Sequence, residues 1–150
     1  EVKLKSLRES RSLSLEEFIL GNRKTAIKAD ELVSGIFIPN PGKNAVGNFK
    51  KLGTRSYLVI SIVMVGVVVE LNEEDEVMEL KVAVGACSPV AKRLRLLEED
   101  VVGQKLNSIE IQPRHLESLQ PIDDIRASAS FRKIVTPELL KRAIQGVKQK

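Results

Sequence analysis

Residues 58–71 read LVISIVMVGVVVEL and residues 77–86 read VMELKVAVGA, joined by the polar NEEDE of 72–76. Eight of the twelve positions from 58 to 69 are Val or Ile. Branching at Cβ restricts χ1 against a helical turn and packs well on a pleated surface, so the run predicts a long buried strand. Ser56 is placed to cap a helical turn before it, so the strand is secure only from Ile62 onward. The 77–86 run alternates apolar and polar residues. A five-residue polar connection suits a hairpin, which pairs the two runs antiparallel.

Upstream, 47–52 reads as a strand, and Asn40-Pro-Gly-Lys-Asn is the best domain boundary in the chain. Before it, 1–7 alternates like a strand end. Ser14-Leu-Glu-Glu predicts an N-capped helix over 15–20 stopped by Gly21, 22–30 a loop, and 31–38 a strand ended by Pro39. Downstream, Ser88-Pro89 has the form of an N-cap and first helical residue. Val90, Leu94, Leu97 and Val101 then share a face, and Gly103 closes the helix. Further helices are expected over 108–119, from Asp123 or Asp124 to Val135, and afresh from Thr136-Pro137. Strands followed by helices give an α+β class: an antiparallel sheet of three to four strands packed against a C-terminal helical layer.

The chain has 150 residues, 43% hydrophobic and 29% charged, the balance of a globular protein that folds without disulfide or metal. Aromatic residues are 3%, which argues against the stacking platforms of a single-stranded nucleic-acid binder. From Arg126 to Lys150 seven Lys or Arg face Glu138 alone, read as a solvated basic helix face rather than a nucleic-acid surface. Cys87 is the only cysteine, so this chain forms no internal disulfide and no multi-cysteine metal site; a reducing, cytoplasmic setting fits. The segment 1–14 has no signal-peptide pattern, and the run 58–69 is too short for a membrane helix.

Residue chemistry assembles no catalytic or metal site. His115, the single histidine, reads as a solvated surface residue, and Cys87 as a small buried one. Glu73 to Glu76 lack the spacing and central glycine of a calcium loop, and Asp123-Asp124 suit capping. No Walker loop and no GxGxxG occurs.

Four stretches, in consistent order along the chain, resemble the FAD-binding subunit of molybdenum hydroxylases, the xanthine dehydrogenase and carbon monoxide dehydrogenase group. They are SLEEFILGNRKTAIKADELVSGIFIP (14–39), FKKLGTRSYLVISIVMVGVVVEL (49–71), LKVAVGACSPVAKRLRLLEEDVVGQKL (80–106) and PIDDIRASASFRK (121–133). The resemblance implies that 1–40 is the tail of the FAD-binding middle subdomain and 45–150 the C-terminal α+β domain. It implies an oxidoreductase subunit with FAD as cofactor and molybdenum-cofactor and iron–sulfur subunits as partners, with no nucleic acid and no membrane. Electrons would pass from the iron–sulfur clusters through FAD to an external acceptor. The family's Gly-rich pyrophosphate loops would lie upstream of Glu1. Two family contacts carry over: a backbone contact at Val33, and a lysine near the flavin at Lys50 or Lys51. Adjacent strand residues face opposite ways, so only one lysine points at the flavin. With Phe49 in the core, that one is Lys50; the opposite strand orientation gives the contact to Lys51. The alternative reading is a subunit-interaction module that binds no flavin.

Overall fold

The computed structural model describes residues 1–149 and the side chains of residues 1–147, in two units, Glu1–Asn40 and Pro41 onward. Among the described residues no helix is long and apolar enough to cross a membrane.

In the first unit β1 (Val2–Lys5) lies between β2 (Ser10–Leu13) and β5 (Leu32–Ile36), antiparallel to both. Val2 and Leu4 supply its buried face. The helix expected over 15–20 is one turn, α1 (Leu15–Phe18), with the foreseen cap: Glu17 N–H donates to Ser14 Oγ at 3.1 Å, and Ser14 N–H to Glu17 Oε2 at 2.9 Å. It stops early because Ile19 is already extended, in a small ribbon of β3 (Ile19–Gly21) and β4 (Lys24–Thr25). The expected loop over 22–30 therefore contains a two-residue strand. Glu31, held by Arg11 through two bonds of 2.6 and 2.9 Å, closes the sheet's connection; that pairing takes its carboxyl down to about 2.

The second unit is a four-stranded antiparallel sheet, in the order β6 (Val46–Leu52), β7 (Val63–Leu71), β8 (Val77–Gly85), β9 (Lys92–Arg93). The hairpin forms as the valine pattern predicts, from Met64↔Gly85 to Leu71↔Val77. Asn72 Oδ1 accepts the N–H groups of Glu74 and Glu76, so the acidic segment is a self-bonded turn. Val63, Val65, Val67 and Val69 are buried on one face. Strand pairing begins at Val63 because the register Leu52↔Val63 leaves 53–62 as the connection itself.

The helical layer departs further from expectation. Ser88 does not cap a helix: its hydroxyl donates to Cys87 O and accepts from Gln120 N–H. The chain instead adds β9 to the sheet edge, and α2 (Arg95–Asp100) begins after Leu94. The apolar spacing still holds, with Leu94, Leu97 and Val101 buried. The helix expected over 108–119 is two 3-10 turns, Leu106–Ser108 and Pro113–Leu116. The last helix, α3 (Ala129–Gln145), is capped by Ser128 rather than by Asp123 or Asp124, and runs unbroken through Pro137. Arg132, Thr136, Leu140, Ala143 and Ile144 all bury one face of it. That packing outweighs an interior proline's cost of about 3 kcal/mol, so Thr136-Pro137 starts no new helix.

Candidate functional site

The sheet positions its residues through a strict alternation. Phe49 pairs with Gly66 and Lys51 with Met64 on one face, whereas Asn48, Lys50 and Leu52 pair with the buried Val67, Val65 and Val63. The core face of β6 is therefore the even-numbered one. Asn48 Nδ2 donates to Ala143 O of α3 at 2.7 Å, and Leu52 is half-buried. Phe49 is 57% exposed, on the sheet face away from α3, which corrects its expected core position and with it the ground on which the sequence favoured Lys50 over Lys51.

The two lysines consequently differ. Lys51 Nζ donates to Val59 O at 2.6 Å, and Arg55 Nη2 donates to Leu58 O at 2.7 Å. These cations hold the 53–62 connection, where Leu58 takes a left-handed φ of 44°. Lys50 is exposed, and its stem runs beside the end of α3; a Cβ on Gly146 would meet Lys50 Cε at 3.7 Å. Its ammonium has no partner among the described residues. Val33 lies in the first unit, half-exposed on β5 and paired with Leu4. Both β5 and β6 are edge strands, so each leaves backbone N–H and C=O groups open on one side.

Two buried polar clusters, missed in the sequence, fix the frame of the second unit. Arg132 is 2% exposed, not part of a solvated basic face. Its Nη1 donates to Ile62 O and Ala86 O, tying the start of β7 to the end of β8, and its Nη2 to Asp124 Oδ1 at 2.7 Å. Asp124 is drawn from 3.8 to about 2, first by the Arg126 N–H, against partial burial, and further by the Ala127 N–H and the guanidinium groups of Arg126 and Arg132. Because the folded value is the lower, Asp124 adds stability above its ordinary range, and this is lost as pH falls from about 3.8 to about 2. Acid titration of stability should show Asp124→Asn less pH-dependent across that window than the parent chain.

His115 is the second correction: it is 4% exposed, not solvated. Its Nδ1 accepts Gln112 N–H at 3.1 Å and its Nε2 lies 2.9 Å from Asp100 Oδ2, while Arg114 Nη2 also pairs with Asp100. Both ring nitrogens thus serve structure. Cys87 is buried as expected, and burial pushes its thiol up. Among the described residues no group of three or more His, Cys, Asp or Glu is placed to hold a metal ion.

The sheet, the closing helix and the order of the motifs agree with the family comparison: residues 48–147 match the CO dehydrogenase flavoprotein C-terminal domain. The chain belongs to this family. The nicotine 6-hydroxylase medium subunit of Paenarthrobacter nicotinovorans is 26% identical over 153 residues, covering 95% of the chain and 50% of that protein. The nicotinate dehydrogenase FAD-subunit of Eubacterium barkeri is 27% identical over 154 residues, covering 99% of the chain and 50% of that protein. This flavoprotein C-terminal domain thus comes from a chain that spans about half the length of the curated relatives it matches. CO dehydrogenase from Oligotropha carboxidovorans superposes with a TM-score of 0.84 at 19% identity, over 99% of the chain and 52% of its own. Quinoline 2-oxidoreductase from Pseudomonas putida 86 does so with 0.84 at 21%, over the same shares. These likenesses establish the α+β fold.

Proposed function

We propose that the chain is the C-terminal portion of the FAD-binding medium subunit of a molybdenum hydroxylase, a flavoprotein oxidoreductase subunit. The observation that carries the reading is the family match over 48–147, supported by two relatives named as medium or FAD subunits. On this reading 1–40 is the tail of the FAD-binding middle subdomain, and 45–150 is the C-terminal domain. The partners are a molybdenum-cofactor subunit and an iron–sulfur subunit of the same complex, in the cytoplasm.

FAD, when bound, supplies electron transfer from the iron–sulfur partner to an external acceptor. Each unit offers one residue that suits a flavin contact. The Val33 backbone on an edge strand has the capacity for a contact, and Lys50 offers an exposed ammonium with no other partner among the described residues. Lys51 fits less well as the contact, because Val59 O already holds it; it instead shapes the connection beside the strand. The pyrophosphate needs clustered backbone N–H groups, and the sequence contains neither a Walker loop nor GxGxxG.

A cation at Lys50 favours the more negative redox state of the cofactor. Removing it, at about 1–2 kcal/mol, should lower a two-electron potential by roughly 20–45 mV. Redox titration of Lys50→Ala and Lys51→Ala in the complete subunit tests this. The larger shift is expected for Lys50→Ala. An unchanged potential and FAD affinity in both variants would refute the lysine contact.

A further inference from the structure

Asn48 and Gly146 meet where α3 ends against β6. Both ends of the Asn48 amide are engaged: Oδ1 accepts the Phe49 N–H at 2.9 Å, and Nδ2 donates to Ala143 O at 2.7 Å. Ala143 stands in the last turn of α3, where carbonyls run out of helical donors. One side chain thus ties the edge strand to the helix end across 95 residues of chain. Gly146 follows α3 directly. Its φ of −71° is open to any residue, so conformation does not call for glycine there. Space does: a Cβ would lie 2.6 Å from Asn48 Nδ2, closer than side chains pack, whereas Lys50 Cε at 3.7 Å is at ordinary contact distance. A side chain at position 146 must therefore displace the amide or the helix end.

Lys50 lies two residues beyond Asn48, on the same face of β6. Its stem runs beside the helix end that the amide fixes, and its ammonium has no partner among the described residues. A lysine carries a point charge on a flexible four-carbon stem, so what the stem packs against decides where the charge sits. Here that wall is the end of α3, set in place by one hydrogen bond and one missing Cβ.

We propose that Asn48 and Gly146 are positioning residues for the Lys50 ammonium, holding the end of α3 so that the stem directs the charge at the flavin. This rests on the reading of Lys50 as a flavin contact. The test is redox titration of the complete subunit carrying FAD. Asn48→Ala removes the bond to Ala143, and should lower the potential as Lys50→Ala does, by a smaller amount. Gly146→Ala displaces the same amide from the helix side and should shift the potential the same way. In a Lys50→Ala background neither substitution should lower it further, because no ammonium is left to misplace. Ser128→Ala removes the cap at the other end of α3 and should leave the potential unchanged, which separates positioning from a general loosening of the helix. Three results would overturn the positioning role while leaving the lysine contact standing. They are an unchanged potential in both Asn48→Ala and Gly146→Ala, the same fall with and without Lys50, or an equal fall in Ser128→Ala. An unchanged potential in Lys50→Ala itself would overturn the lysine contact, and the positioning role with it.

Discussion

Arg132→Met should destabilise the chain by about 3–5 kcal/mol, measured by urea unfolding. Methionine conserves much of the stem, so the loss is mainly that of the guanidinium. Without it the Ile62 and Ala86 carbonyls lose their donor, and Asp124 loses the cation that pairs with its Oδ1. Asp124 keeps the Arg126 guanidinium, with Nη1 3.1 Å from Oδ2, so the larger part of the cost lies in the two carbonyls left without a donor. A double-mutant cycle with Asp124→Asn should show coupling between the two positions. Strictly additive effects would mean that the pair does not act as a unit.

His115→Phe should cost about 1–3 kcal/mol by the same measurement, because the Gln112 N–H and the Asp100 carboxylate each lose a partner at a half-buried site. Arg114 remains to pair with Asp100, which keeps the cost below that of Arg132→Met. A solvated histidine would give a change within about 0.5 kcal/mol. Such a result would contradict the buried position.

The contrast between these residues and the valines shows what the sequence made legible. β7 and β8 could be read because period-two burial and β-branching act within each strand, and their polar connection is short enough to specify a hairpin. The Ser14 cap could be read for the same reason: its partner, Glu17, is three residues away. Arg132 and His115 could not. Their partners lie 70 and 15 residues distant, at Ile62 and Asp100, and no local pattern distinguishes a buried arginine from a solvated one. Helix starts failed where a distant contact or tertiary packing overrode a local signal. Ser88 has the composition of a cap, yet a contact with Gln120, 32 residues on, claims its hydroxyl. Pro137 marks a helix start by propensity, but the buried face from Arg132 to Ile144 carries α3 straight through it.

The lysine pair shows the same limit at the candidate site. Extended geometry correctly separates Lys50 from Lys51. The choice of core face depends on which side of β6 meets α3, and that is set by Asn48 and Ala143, 95 residues apart. Phe49 misled because hydrophobicity alone assigns an aromatic ring to the core, whereas the register of β6 on β7 turns it to the other face. Val33 and Lys50 are proposed from family resemblance, with edge-strand position and an ammonium that has no partner among the described residues in support.

The flavin content of the chain, prepared alone and joined to the rest of its subunit, tests the central claim most directly. The readout is the ratio of flavin to protein absorbance. One lysine and one backbone contact cannot offset the missing pyrophosphate cradle, so the chain alone should be colourless, and the complete subunit should carry one FAD. FAD retained one-to-one by the chain alone would contradict this division of the site. A colourless complete subunit would contradict the flavoprotein reading and favour the subunit-interaction module.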